Sequence, residues 1–255
     1  MRDARARLRH ANAMIGGQRV FSVSLGDRAA GVPEVVCVHG LGVSSRYFVP
    51  LVREVAPYTR VSAPDLPGFG RSSNPSTVYD VPQLAAALDS WLDLQDFAVP
   101  PVLVGNSMGC QIVASLVDGR PARASGILLI GPTMDANNRS RWSQIVRLIR
   151  AMPFERLPLL PVTAYEYTLC GPRRLFGSLR HALDDALEVH LPQIHVPAVV
   201  VRGERDPIAP PDWVRQVARL LDCGEALTIP DTGHAVNYSA PDTLLPLVLG
   251  LLRRA

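Results

Sequence analysis

The chain has 255 residues, 47% hydrophobic and 19% charged, which is ample for one large domain around a buried core. All 26 basic residues are arginine, and the net charge of +3 equals that of the first ten residues alone, where Arg2, Arg5, Arg7 and Arg9 face Asp3. The rest of the chain is about neutral, which excludes a nucleic-acid footprint spread over the fold and reads the basic head as a solvated arm.

Arg19 to Leu25 alternates in period two and predicts a strand. Glu34 to Val38 predicts a short buried strand that ends at His39-Gly40. Tyr47 to Val55 reads as a helix and Arg60 to Ala63 as a strand. Val81 to Leu94 carries Leu84, Leu88, Trp91 and Leu92 at helical spacing. Val102 to Val104 predicts a strand, Cys110 to Val117 a helix and Ile127 to Ile130 another strand. Ala198 to Val201 and Ala226 to Ile229 predict two more, separated by a helix over Asp212 to Leu221. Asp242 to Leu252 closes the chain as a helix. Short apolar strands alternating with helices imply an α/β fold, a mostly parallel central sheet with helices on both faces. In such sheets ligands bind beyond the carboxyl ends of the strands.

One segment breaks the alternation. Pro132 to Ile194 has no buried strand; it holds helical stretches at Trp142 to Ile149 and Ala182 to Val189, with Pro153, Pro158 and Pro161 between them. The expected organisation is a core of residues 1–131 and 195–255 with a helical lid at 132–194 folded over the strand ends. No apolar targeting core follows the basic N-terminus, and Leu244 to Leu252 is too short to span a bilayer. Cys37, Cys110, Cys170 and Cys223 are scattered and read as reduced thiols of a cytoplasmic protein. No Cys/His spacing suits a metal, so no metal or other cofactor is expected, and no membrane or nucleic-acid partner.

The residues after the strands carry the chemistry. Gly105-Asn106-Ser107-Met108-Gly109 lies between a predicted strand and a predicted helix, the setting of a strained turn that projects a serine hydroxyl from the sheet. Alone this motif is weak, since composition produces it in roughly one such chain in ten. After the second strand, His39-Gly40-Leu41-Gly42 turns back with N–H groups free for a developing oxyanion; His39 itself reads as structural. Asp65-Leu66-Pro67-Gly68-Phe69-Gly70-Arg71-Ser72 reads as a tight loop fixed by its charged residues. Asp206 follows the strand at Ala198 to Val201, and His234 follows that at Ala226 to Ile229. The order Ser107, Asp206, His234 is one of the known serine-triad orders.

Together HGLG (39–42), DLPGFGRS (65–72), GNSMG (105–109), GERDPIAP (203–210) and the GH at 233–234 make the chain resemble the α/β-hydrolase superfamily, in its lid-bearing serine-hydrolase branch. The resemblance implies Ser107 as nucleophile, His234 as base, Asp206 as acid, and the N–H groups of Leu41 and Met108 as oxyanion donors. Some members place the acid where this chain has Asp135, which is the second candidate. Val43, Phe69, Trp142, Ile208 and Val236 are expected beside the substrate. Their apolar character points to an uncharged, hydrophobic small molecule bearing a carboxylic ester, thioester or lactone, cleaved by a monomer or homodimer. The resemblance leaves two other readings. One is a carbon–carbon hydrolase like the meta-cleavage-product enzymes, disfavoured by HGLGVS and Ala235. The other is a ligand-binding homologue without catalysis. Arg139 and Arg141 read as solvated. Cys110 departs from the GNSMGG of many relatives and is expected to pack beneath the turn.

Overall fold

A computed structural model describes residues 7–254. β1 (Arg9–Ile15) and β2 (Gln18–Leu25) form an antiparallel hairpin. Its turn is Gly16-Gly17, with φ of 53° and 77°; only glycine accepts two such angles cheaply, and the turn sets the register Ile15↔Gln18. β1 corrects the reading of the basic head as an arm: Arg9 opens a strand and pairs with Asp27 at 2.7 Å. The strand escaped notice because it lies at the sheet edge, largely exposed, and so lacks the alternation that burial of one face imposes. Arg2 and Arg5 lie outside the described residues.

The chain then alternates: β3 (Val35–Val38), α1 (Val49–Val55), β4 (Val61–Pro64), α2 (Val81–Asp93), β5 (Val102–Asn106), α3 (Met108–Gly119) and β6 (Gly126–Ile130). A helical insertion follows, with α4 (Arg141–Ala151), α5 (Leu159–Asp184) and α6 (Leu187–His190). The core resumes with β7 (Ala198–Gly203), α7 (Pro211–Leu220), β8 (Gly224–Ile229), α8 (Val236–Ser239) and α9 (Pro241–Arg254). The eight strands form one sheet in the order β1-β2-β4-β3-β5-β6-β7-β8, antiparallel around β2 and parallel from β4 to β8.

Alternate strand residues feed two cores. Val36, Val38 and Leu103 pack with Leu88 and Trp91 of α2, Ile112 of α3 and Trp213 and Val217 of α7. Val35, Cys37, Val102 and Val104 pack on the other face with Leu51 and Val52 of α1 and Leu244 and Val248 of α9. Each fully buried aliphatic side chain stabilises by roughly 1.5–3 kcal/mol, so both faces of the sheet must be covered.

The insertion holds more helix than its sequence suggests. Pro158 caps α5 and Pro161 lies in its first turn, where a missing N–H costs nothing, so these prolines start a helix that was expected to be broken. The interruption falls later, at Gly171 (φ 71°, ψ 157°) followed by Pro172. Among the described residues no helix is long and apolar enough to cross a membrane.

Candidate active site

Ser107 sits between β5 and α3 with φ 59° and ψ −124°, a region that costs a non-glycine residue of order 1–3 kcal/mol. The turn is forced by contacts on three sides. The Ser107 N–H donates to the carbonyl of Ile130, at the end of the neighbouring strand, at 2.9 Å. A Cβ on Gly109 would fall 2.2 Å from the Val38 carbonyl oxygen, and one on Gly105 would fall 2.6 Å from that of Gly109. Both glycines of the motif are therefore fixed by close backbone approach. Cys110 is fully buried under the turn, as expected, with its thiol donating to the carbonyls of Gly105 and Ile130 at 3.4 Å. Burial pushes that thiol well above its ordinary titration range.

Asp206 and His234 come together from the ends of β7 and β8. His234 Nδ1 lies 2.7 Å from Asp206 Oδ2, while Asp206 Oδ1 accepts from the N–H groups of Ile208 at 2.8 Å and Ala209 at 3.3 Å. Burial raises the Asp206 carboxyl, but the attraction of His234 and these hydrogen bonds outweigh it and hold the group below its ordinary value. Burial likewise lowers His234, and Asp206 reverses the sign, leaving the imidazole above its ordinary value. The two loops interlock at Gly203, where a Cβ would lie 2.0 Å from the Gly233 carbonyl oxygen.

All three elements meet over one residue. At Gly131 (φ 57°) a Cβ would come 2.9 Å from His234 Nδ1 and 3.3 Å from Asp206 Oδ2, and the preceding carbonyl is the one that holds Ser107. No hydrogen bond leaves Ser107 Oγ among the described residues; in unliganded sites such contacts are often long and tighten with substrate.

The HGLG loop closes the other side. A Cβ on Gly40 would touch Ser107 Cβ at 2.8 Å and its Oγ at 3.3 Å. The N–H groups of Leu41 and Met108 have no acceptor among the described residues, so both are free to donate. His39 is structural. Its Nε2 accepts from the Leu66 N–H at 3.0 Å, so Nδ1 carries the proton and donates to Gly40 O at 2.9 Å. Burial keeps the ring neutral by lowering its pKa. Asp65 fixes its own loop by accepting from the N–H groups of Ser45 and Arg71, both at 2.8 Å.

The expected substrate contacts divide. Val43 is buried with Tyr47, Leu159 and Ala235, next to His234 and against the insertion. Phe69 stacks edge-on to His39 at 5.1 Å, and Ile208 lies buried in the Asp206 loop. Val236 does not line a pocket: it is fully buried in the α1/α9 core. Trp142 is 78% exposed on α4, so it is not a pocket wall either. Asp135, the second candidate acid, accepts from Arg147 of α4 at 3.0 Å and from the Asn137 N–H at 3.0 Å. It anchors the insertion, and Asp206 is the carboxylate at His234.

Two residues were not found from sequence. Arg202, buried at the end of β7, donates to the carbonyls of Ala209, Glu204 and Asp206 at 2.8, 3.1 and 2.9 Å, and so shapes the loop that carries Asp206. Glu155, just before α5, accepts from the N–H groups of His234 at 2.6 Å and Ala235 at 3.2 Å; its other oxygen is buried without a partner. Burial raises its carboxyl, opposed by His234 and these hydrogen bonds. Arg202 stands one residue before the recognisable loop. Glu155 carries no motif at all, because its role exists only once the insertion has folded back.

A serine, an aspartate and a histidine stand beyond the carboxyl ends of the parallel strands β5, β7 and β8. The chain belongs to the alpha/beta hydrolase family, whose profile matches residues 35–247. It is 26% identical over 231 residues to the pimeloyl-[acyl-carrier protein] methyl ester esterase of Xanthomonas oryzae pv. oryzae, covering 80% of this chain and 88% of that one. In fold it is similar to a thermophilic esterase from Thermogutta terrifontis, with a TM-score of 0.79 at 19% identity, covering 98% and 99% of the two chains. A serine hydrolase involved in carbazole degradation also superposes with a TM-score of 0.79, at 20% identity and 98% and 100% coverage.

Proposed function

We propose that this protein hydrolyses a carboxylic ester, thioester or lactone of a hydrophobic small molecule through Ser107, His234 and Asp206. The observation that carries the proposal is the convergence at Gly131, where the ring of His234 and the carboxylate of Asp206 lie against a backbone that also holds the Ser107 turn. In this mechanism His234 Nε2 removes the Ser107 proton, and Asp206 holds the tautomer and stabilises the imidazolium. Ser107 Oγ bonds to the carbonyl carbon. The resulting oxyanion takes hydrogen bonds from the N–H groups of Leu41 and Met108, each such donor being worth about 3 kcal/mol in the transition state. The alcohol or thiol leaves with the proton from His234, and a water activated by the same imidazole releases the acid.

Residues 132–194 act as the lid. Tyr167 and Leu175 of α5 close on Gly42, and Leu159 joins Val43 and Tyr47. These side chains give the acyl or alcohol part of the substrate an apolar wall, which favours an uncharged group. The esterase of Xanthomonas oryzae and the esterase of Thermogutta terrifontis support an ester-type substrate for this chain as well.

The test is a fluorophosphonate probe together with a panel of p-nitrophenyl esters. The wild type is labelled and turns over; Ser107→Ala is unlabelled and loses at least about a thousandfold in kcat. A wild type that neither labels nor turns over, yet binds hydrophobic esters, is a ligand-binding homologue, and the hydrolase reading fails.

A further inference from the structure

The outer face of the insertion is apolar and cationic together. Of the fifteen large apolar side chains exposed among the described residues, twelve lie between Trp142 and Val189. α4 is inside out: it buries Gln144, which donates to the Asn138 carbonyl, and turns Trp142, Val146 and Ile149 to solvent. Leu157, 80% exposed, and Phe176 of α5, 61% exposed, are turned to solvent as well. Residues 136–189 hold eight arginines and five carboxylates, Glu155, Glu166, Asp184, Asp185 and Glu188. Four of them are engaged, Glu155 by the N–H groups of His234 and Ala235, Glu166 by Arg46, Asp185 by Gln111 and Glu188 by Arg139; Asp184 is exposed. Arg141, Arg150, Arg156, Arg173 and Arg180 are exposed; Arg180 lies 3.7 Å from Asp184, and none of the other four meets a carboxylate among the described residues. Between α4 and α5 a cleft of about 280 Å³ has an apolar floor of Ile145, Phe176 and Leu179, with Arg141 and Arg180 also lining it.

We propose that this face docks on an anionic lipid surface, with the apolar side chains entering the acyl boundary and the arginines meeting the headgroups. The chemistry fits that occupant best. Apolar residues interleaved with five exposed arginines against one exposed carboxylate, Asp184, are what an interfacial element needs. A second copy of the chain fits worse, because a two-fold contact sets a face against itself and would oppose arginine to arginine. An acidic protein would satisfy the arginines but is not required by apolar side chains scattered over two helices. The whole-chain charge concealed this surface, since most acidic residues sit elsewhere; the expectation of no membrane partner rested on the absence of a span. Docking here would set the lipid against the element that covers Ser107.

The chain carries its own reporter. Trp91 and Trp213 are buried, at 1% and 0% exposure, so Trp142 is the tryptophan whose emission responds to an outer surface. The experiment titrates the wild type with vesicles of phosphatidylcholine and with equimolar phosphatidylcholine and phosphatidylglycerol, reading emission and co-sedimentation. The expected result is a blue shift and sedimentation with the anionic vesicles alone, reversed by salt. Each of Arg141→Ser, Arg150→Ser and Arg156→Ser should weaken partition about fivefold. Ile149→Ser with Leu157→Ser should abolish it while turnover of a soluble ester, a separate reading, stays at the wild-type level. Four results overturn the proposal: no binding, equal binding to both vesicles, arginine variants that bind as well as wild type, or a lipid-free dimer that itself shifts Trp142. Saturable binding to an acidic carrier protein with no vesicle binding also overturns it, in favour of a protein partner.

Discussion

α7 and α4 have helices of similar length and opposite logic. α7 buries Trp213, Val214 and Val217 and shows its charged face to water; α4 buries a glutamine and shows water its tryptophan and isoleucine. The difference separates two ways of fixing structure. The core is over-determined, by apolar burial on both sheet faces and by glycines whose neighbours leave no room for a Cβ. The insertion packs into the core at its C-terminal end, through Ala182, Leu183 and Leu187, while its first half rests on Leu159 and on a few polar anchors: Arg147 to Asp135, Arg139 to Glu188, and Glu155 to the His234 loop. The proposed chemistry sits on the first kind of structure, and the proposed lipid contact on the second.

The largest expected effect belongs to the core. Asp206→Asn should lower kcat by about ten-thousandfold with little change in fold, because the amide disrupts the tautomer that His234 needs. Asp135→Asn breaks a largely buried ion pair with Arg147 and should cost a few kcal/mol of stability, but Asp135 does not touch His234, so kcat should stay within about tenfold of wild type. Steady-state kinetics on one soluble ester decide between the two carboxylates. The reverse ranking would move the acid to Asp135.

The next effect lies where the two regions touch. As the proposed base His234 must be neutral, and its pKa is raised: burial lowers it, but Asp206, aided by Glu155, more than compensates. The acid limb of the kcat/KM profile should therefore lie above the ordinary histidine value, with activity rising as pH rises through the limb. Glu155→Gln keeps an acceptor for the His234 N–H and removes the charge, so the limb should move to lower pH. Glu155→Ala leaves two buried N–H groups without their acceptor and should also cost roughly 1–3 kcal/mol of stability by denaturant melting. A pH profile in Glu155→Gln that superimposes on wild type would mean that the insertion fixes the loop without influencing the base.

What the sequence disclosed follows the same division. The strands from β3 to β8 announced themselves as apolar runs, and Ser107, Asp206 and His234 stood in the segments after β5, β7 and β8, because a parallel sheet puts every strand end on one side. β1 was hidden, since an exposed edge strand imposes no pattern on Arg9 to Ile15. α5 was hidden by its prolines, whose meaning depends on whether they start a turn or interrupt one. Val236 and Trp142 were assigned to a pocket on apolar character alone, and apolar character cannot tell a core wall from an outer face. Glu155 lay beyond reach because its partners are backbone N–H groups 79 and 80 residues away. Such a contact leaves no periodicity or motif, only an acidic residue in a segment otherwise rich in arginine.

The smallest effect is the one that tests the contrast most directly. Val217 and Ile149 are both β-branched residues on helices, and they differ in what surrounds them: Val217 is fully buried and Ile149 is 60% exposed. Val217→Ser removes apolar contacts and buries a hydroxyl in a close-packed site, so it should destabilise by roughly 2–5 kcal/mol. Ile149→Ser removes almost nothing that the folded chain uses and should change stability by no more than about 0.5 kcal/mol. It should also raise solubility by shrinking an exposed apolar patch. Chemical denaturation of the two variants reads both numbers. If Ile149→Ser cost as much as Val217→Ser, α4 would have to bury its apolar face against the core in solution. The helix would then be turned by about half a revolution, its exposed tryptophan would become a core residue, and the insertion would follow the same rule as the rest of the molecule.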